Sequence, residues 1–411
     1  MTKSAERNLV IGLDVGTAKV VATVGEITAD NQLSIVGVGN QVAHGMDKGG
    51  VNDLNLVSDS IKRAVDEAEL MADCRISSVY LGISGKHIQC QNESGVVAIN
   101  NNAEITDDDI ANVIHIARSV PMSAERKMLH SLPQEYSVDM QEGIKNPLGM
   151  SGVRMEAKAH IITCSNDMAK NIEKCVERCG LQVDQLTFTA LASCYSVLTE
   201  DEKELGVAVV DIGGGTMDIA IYVNGALRHT AVIPVAGNQV TGDIAKIFRT
   251  PISHAESLKV QYAYASSQMA SNEETIEVPS VGGRPARIMS RHTLSEVVEP
   301  RFRELFELVL EEIRRSGFED QIAAGIVLTG GSAKMKGALE VAEDIFQMPV
   351  RVGKPVGITG LTDYVDDPAY ATAVGLLQYG RTLQVKNAHR TKADAEDGWW
   401  NRITKWFQGE F

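Results

Sequence analysis

The chain has 411 residues, 44% apolar and 23% charged, which is enough for two domains with full cores and excludes a disordered protein. A formal net charge of −15 argues against general nucleic-acid binding, which needs a basic stripe, and sets the body of the protein against an anionic membrane surface. No apolar run approaches membrane-spanning length, and all six cysteines fall between Cys74 and Cys194 without a Cys-x-x-Cys pair. A metal cluster drawn from His160, Cys164, Cys175 and Cys179 is the weaker reading beside buried structural thiols. The expected compartment is therefore reducing and cytoplasmic.

In chain order, polar Met1–Asn8 leads without an apolar signal core into predicted strands near 9–14, 19–27 and 33–43. A helix follows near 54–71, with Leu54, Val57, Ile61, Val65 and Ala68 on one face, then a strand near 78–84. From Gly85 to about Ile162 the pattern changes to short strands (87–91, 128–139, 153–164) around one helix opened by Thr106-Asp107-Asp108-Asp109. This reads as an inserted subdomain. The first half resumes with a helix near 166–179, a strand near 182–188 and a helix near 190–199. A second half starts at about 206 and carries its own insertion, roughly 250–318. In that insertion, strands near 274–279 and 286–290 precede a long helix near 293–317, which Pro300 either kinks or starts. An Ala-rich helix over 368–380 returns to the first half, after a turn containing Asp363, Asp366 and Asp367 that is expected to be solvated.

Two of these strand pairs share one turn chemistry. Val10-Ile11-Gly12-Leu13-Asp14-Val15-Gly16-Thr17-Ala18-Lys19 and Val209-Val210-Asp211-Ile212-Gly213-Gly214-Gly215-Thr216-Met217-Asp218 each end a β-branched run in Asp and turn through Gly and Thr. Glycines admit a phosphate close to the backbone, and consecutive N–H groups with a Thr hydroxyl form an anion nest. Asp14 and Asp211, at the strand ends, are placed to hold a hydrated Mg²⁺ against a polyphosphate. One such turn is usually only a turn. Two of them indicate a duplicated α/β unit closing on one nucleotide. A third segment, Thr329-Gly330-Gly331-Ser332, is read as a strand, a turn and a helix start against which base and ribose pack. Glu256 and Lys259 share a helix face in the run His254 to Ala265, either to grip ribose and base or as a surface salt bridge.

All three tryptophans, Trp399, Trp400 and Trp406, stand in the last thirteen residues. With Ile403 and Phe407 they form one face at helical period, flanked by Arg402 and Lys405. Residues 386–397 are polar and read as a linker. An interfacial membrane helix over 398–411 is favoured over a helix docked on the body. Half-burial of its large side chains would contribute about 4–7 kcal/mol, and linkage of copies in a polymer would strengthen the anchor.

The three turns in this order resemble the actin, Hsp70-chaperone and sugar-kinase ATPase superfamily. Specific stretches narrow this: Met46-Asp47-Lys48-Gly49-Gly50-Val51-Asn52-Asp53, Val153-Arg154-Met155-Glu156-Ala157-Lys158-Ala159-His160-Ile161-Ile162-Thr163, the second Asp turn, and Ile358-Thr359-Gly360-Leu361-Thr362-Asp363-Tyr364. With the insertion in the first half and the terminal helix, the chain resembles the FtsA family of bacterial cell-division proteins. The resemblance implies an α/β, actin-like two-domain fold, each half a mixed sheet flanked by helices. Subdomain 1A would span 1–84, 163–204 and 366–385, with 1C over 85–162; 2A would span 205–249 and 319–365, with 2B over 250–318.

It further implies ATP and Mg²⁺ in the central cleft, bound by Asp14, Gly16, Thr17, Lys19, Asp211, Gly213, Gly214, Gly215, Thr216, Glu256, Lys259, Gly330, Gly331 and Ser332. It implies filaments of the protein on the cytoplasmic side of the inner membrane at the division septum, anchored in anionic lipid, and recruitment of later division proteins. The C-terminal tail of FtsZ would bind on 2B, near Arg301 and Glu304. There Arg301 pairs with the acidic tail while Phe302 packs on it, or the two are simply an exposed residue and a core residue. One departure bears on mechanism. Thr189 stands where superfamily members with strong ATPase activity carry a Glu or Gln that positions water, so hydrolysis is expected to be slow and the nucleotide mainly a conformational ligand. A sugar kinase, an Hsp70-type chaperone and a pilus-assembly relative are the competing readings. The first lacks an evident sugar loop, the second a substrate-binding β-domain, and the third does not explain the Trp-rich tail.

Overall fold

The computed structural model of the protein describes residues 7–99, 104–282 and 284–385. Its two main sheets have the same strand order. In the first, Leu9–Val15 pairs antiparallel with Lys19–Ile27, which pairs antiparallel with Leu33–Val42; on its other side lie, in parallel, Ser78–Ile83 and then Gln182–Phe188. In the second, Val207–Ile212 pairs antiparallel with Met217–Val223 and that with Ala226–Ile233, while Ile326–Thr329 and Val350–Val352 follow in parallel on the other side. A short strand, Thr359–Gly360, extends the first sheet beyond Leu33–Val42. The duplication suggested by two turns is thus a duplication of whole sheets.

Helix Leu54–Ala72 covers the first sheet because Val57, Ile61, Ala64, Val65 and Ala68 recur at helical spacing and are buried against it. Asp53 caps its start by accepting from the Asn55 and Leu56 N–H groups, and Asp73 ends it in the left-handed region. The core of the second half centres on the long helix Arg291–Ser316, whose Phe302 and Phe306 stack edge-on toward Phe346. Each such ring contributes about 2–3 kcal/mol by leaving water. Pro300 lies well inside this helix, so it does not mark the start.

Two helices join the halves. Thr189–Val197 is buried along almost its whole length, and residues 371–385 run back over the first sheet with Ala373, Val374, Leu376 and Leu377 against Val10, Val21 and Leu33. They pass so closely that a Cβ on Gly375 would stand 1.8 Å from the Ala192 carbonyl oxygen. Only glycine fits there.

The inserted region forms its own antiparallel sheet, in the order Gln89–Ala98, Arg154–Ser165, Arg126–Val138, Gln141–Ile144, with helix Asp107–Arg118 packed on one face. Thr106 and Asp109 form a reciprocal capping box at the start of that helix. Its first strand is longer than the sequence pattern indicates, and Gln141–Ile144 is an additional strand. The insertion docks on the second half. Its Cys90 thiol, Asn92 amide and Gln134 amide donate to the carbonyls of Thr230, Arg228 and Leu227 on the outermost strand, Ala226–Ile233. His160, buried among them, bonds Asn92 Oδ1 at 2.6 Å and Thr230 Oγ1 at 3.0 Å. Among the described residues no helix is long and apolar enough to cross a membrane.

Candidate functional site

The two Asp turns are built alike. Each closes with a backbone hydrogen bond across the turn, from Gly16 N–H to the Lys19 carbonyl at 2.9 Å and from Gly213 N–H to the Thr216 carbonyl at 3.0 Å. Both turns point from the carboxyl end of the first strand of their sheet into a single cavity of about 570 Å³ between the halves. The cavity is lined by Asp14, Gly16, Thr17 and Lys19 from the first turn, and by Asp211, Gly213, Gly214, Gly215 and Thr216 from the second. Gly330, Gly331 and Ser332 of the third turn line it too, as do Glu256 and Lys259.

The turns of the two halves also touch each other. A Cβ on Gly215 would come within 2.5 Å of Thr17 Oγ1, and one on Gly214 within 2.9 Å of the Ala18 Cβ. The glycines therefore admit the opposite half as well as any ligand. At the other end of the second turn, Gly237 and Asn238 N–H groups, which open helix Gly237–Phe248, donate to the Gly213 and Gly214 carbonyls. Ser332 Oγ donates to the Gly213 carbonyl at 3.0 Å. Lys259, on helix Ile252–Tyr262, pairs with Glu256 at 2.7 Å and donates to Thr241 Oγ1 and the Gly237 carbonyl. The third turn departs from expectation. Gly331–Lys334 is a single 3₁₀ turn, and the α-helix opens only at Ala338 after Gly337, whose φ is 81°.

The cavity is lined by Asp14, Asp211, Asp218 and Glu256 and by Lys19, Lys259, Lys334 and Lys336, with the three aspartates buried. Asp211 and Asp218 face each other across the strand pair, and both are buried. Burial, and then the neighbouring Asp211, push the Asp218 carboxyl up to about 7, although Ser84 and Thr189 each donate a hydroxyl to it at 2.5 Å. Burial likewise raises Asp14 to about 6 against the opposing pull of Lys19. Asp211 is raised by burial and partly relieved by Ser193 Oγ at 2.6 Å and Thr372 Oγ1 at 3.0 Å, one hydroxyl from each of the helices joining the halves. The Lys19 ammonium is turned to the Ala369 carbonyl and lies 4.6 Å from the centre of the Tyr370 ring; burial lowers its pKa.

Burial disfavours the charged form of all three carboxyls, a cost that a hard cation taking oxygen ligands would offset. Among the described residues no three His, Cys, Asp or Glu side chains converge into a metal cage of their own. A cation here would therefore complete its shell with water and ligand oxygens.

Sequence reasoning passed over Asp218, Ser84, Ser193 and Thr372. The signal for Asp218 was available, since it is the only charged residue in the fully buried strand Met217–Val223. Elsewhere, Phe302 is a core residue at 1% exposure, which removes it from any partner surface. Arg301 is ion-paired with Asp243 at 2.6 Å and with Glu304. Asp367 caps the turn before the last helix and pairs with Lys334, and Asp366 pairs with Lys354, so the acidic turn is engaged rather than merely solvated. Trp399, Trp400, Ile403, Trp406 and Phe407, with the linker before them, lie outside the described residues.

Known proteins bear on this architecture in two ways. Among solved structures, the PilM–PilN type IV pilus biogenesis complex matches with a TM-score of 0.64 at 16% identity, over 90% of this chain and 98% of that one. MreB 5 of Spiroplasma citri bound to AMPPNP matches with a TM-score of 0.58 at 18% identity, over 94% of this chain and all of the other. At such identities the likeness establishes the actin-like fold. In sequence, residues 208–375 match the family model for cell division protein FtsA, and residues 85–163 the SHS2 domain inserted in FtsA. The curated cell division protein FtsA of Escherichia coli (strain K12) is 56% identical over the full length of both chains. That of Pseudomonas aeruginosa is 53% identical over 98% of each, and that of Buchnera aphidicola subsp. Schizaphis graminum 44% over both full lengths. An actin-like fold with this insertion, and identity above half along the whole chain, place the protein in the FtsA family of cell division proteins.

Proposed function

We propose that the protein binds ATP with Mg²⁺ between its halves, polymerises on the cytoplasmic face of the inner membrane at the septum, and tethers the FtsZ ring there during division while helping to recruit later division proteins. The observation that carries the nucleotide part is the convergence of three separate turns and the Glu256–Lys259 pair on one cavity between two sheets of like order. The nucleotide seen in MreB 5 of Spiroplasma citri supports it, and family membership supports the role in division.

In this reading, the turn N–H groups and the Thr17 and Thr216 hydroxyls take the phosphates. Gly330, Gly331 and Ser332 pack along base and ribose, and Glu256 and Lys259 hold the ribose and base edge. Asp14 and Asp211 hold Mg²⁺ through water; bound there, the ion offsets the charge of phosphate and carboxylates together. Thr189 already donates its proton to Asp218, and its hydroxyl is neither basic enough nor long enough to activate water. Turnover is therefore slow, and binding chiefly closes the halves. Arg301 and Glu304 receive the acidic FtsZ tail, with Arg301 exchanging its internal carboxylates for those of the peptide. Trp399, Trp400, Ile403, Trp406 and Phe407 anchor in anionic lipid.

The deciding experiment adds full-length protein and Mg²⁺-ATP to anionic liposomes, and measures bound nucleotide, sedimentation and filaments by electron microscopy. Lipid-bound filaments with nucleotide at one site per chain are expected. Absence of nucleotide binding would end the central claim, and free protein in the supernatant would end the membrane claim.

A further inference from the structure

The hairpin Met46–Asp47/Gly50–Val51 has no part in the reading above, although its turn borders the cavity through Gly49. Its two-residue turn is Lys48–Gly49, with φ of 46° and 77°, the left-handed pair that closes a tight hairpin. Asn, Asp or Gly takes the first position of such a turn at little strain, whereas lysine does not. A strained side chain kept at a functional cleft invites a search for what it does there.

The turn sits against both phosphate turns at once. Gly49 N–H donates to Thr17 Oγ1 at 3.3 Å, and the Lys48 backbone stands 3.0 Å from where a Gly215 Cβ would lie. Gly49 itself lines the cavity and is packed on the Ser84 carbonyl. The position along the second turn matters. Its Gly213 end meets Gly237 and Ser332, beside Lys259. Its Gly215 end meets Thr17 and Lys48. Lys48 is therefore at the end of the site away from the base-side pair, where the last phosphate of a chain would lie.

Its charge is also free. Lys19 is turned to Ala369 and Tyr370, Lys259 to Glu256, Lys334 to Asp367, and Lys336 lies over the Tyr264 ring. Lys48 is exposed and its ammonium has no hydrogen-bond or ion-pair partner among the described residues. The lysines that line the cavity are thus already engaged, whereas Lys48 carries an unpartnered cation on the turn that borders the cavity through Gly49.

We propose that Lys48 is a specificity-determining residue that places its ammonium on the terminal phosphate of a bound nucleoside triphosphate, so that the site prefers triphosphate to diphosphate. This rests on the nucleotide reading of the cavity. Because the hairpin belongs to the first half and Gly215 to the second, the same contact ties closure of the halves to the presence of that phosphate.

The test compares binding of AMP-PNP and ADP, each with Mg²⁺, to full-length wild type, Lys48→Asn and Lys48→Arg. Asparagine suits the turn, so Lys48→Asn keeps or raises the thermal midpoint while removing the charge. Expected are a tenfold or greater loss of AMP-PNP affinity in Lys48→Asn, ADP affinity within twofold of wild type, and recovery of most of the loss in Lys48→Arg. Equal loss for both nucleotides, or loss for neither, overturns the proposal while leaving the nucleotide site intact. Wild type that binds neither nucleotide overturns the underlying reading and the proposal with it.

Discussion

At the scale of single residues, the contact between Gly215 and Thr17 sets a tight constraint between the two halves at the cleft. Gly215→Val puts branched atoms into a gap that a Cβ alone would already close to 2.5 Å. ATP affinity should fall at least a hundredfold, which titration of the purified variant measures; undiminished affinity would count strongly against the site. The Asp211–Asp218 pair sets the pH response. Asp218 titrates at about 7 in the folded protein against 3.8 ordinarily. Between about pH 4 and 7 the folded chain thus keeps a proton that the unfolded chain has lost. Stability of the ligand-free protein must fall as pH rises through that window, by at most about 1.4 kcal/mol per pH unit from this group. Asp218→Asn should flatten the dependence of the thermal midpoint on pH from 5 to 8, and an unchanged slope would show that Asp218 does not carry it. The two Asp-Gly turns that meet at the cavity were legible in the sequence because turn composition is local. The hydroxyls on Asp211 were not, since Ser193 and Thr372 reach it from helices far along the chain and look like ordinary small helix residues.

At the scale of elements, the strands with clear β-branched runs were readable to within a residue or two. Gln89–Ala98 was not, because its first half is polar and is held by pairing with Arg154–Ser165 rather than by its own propensity. The helix after Gly330-Gly331 was misplaced for a related reason. Gly337 takes a left-handed backbone and restarts the chain, so the α-helix begins a full turn or more later. Helix Arg291–Ser316 shows what a surface motif conceals. Arg301 looked free in sequence, yet it links this helix to Asp243 on helix Gly237–Phe248. Arg301→Glu should therefore do two things: abolish attraction for an acidic FtsZ tail peptide, and cost about 1 kcal/mol by setting Glu against Asp243 and Glu304. Peptide binding measured by anisotropy should be lost with ATP binding retained, and unchanged peptide affinity would move that site elsewhere.

At the scale of the whole molecule, the membrane claim has a clean probe because every Trp of the chain lies between residues 399 and 406. Anionic vesicles should shift the emission to the blue, with Arg402 and Lys405 each adding about 1 kcal/mol near the surface. Removal of residues 398–411, or Trp406→Glu, should leave the protein in the supernatant with ATP binding unchanged. Emission that does not move on adding lipid would favour a helix docked on the body.

The inserted domain has a consequence for how copies can meet. Strand Ala226–Ile233 ends the second sheet, and a bare strand there would offer its carbonyls to any other extended chain. Cys90, Asn92 and Gln134 occupy three of those carbonyls, so this border is closed to strand addition from a neighbour. Any association of copies would then run through contacts between folded faces rather than through open-ended sheet growth. Paired Asn92→Ala and Gln134→Ala changes should reopen the border and appear first as turbidity on storage, before any loss at the nucleotide cleft.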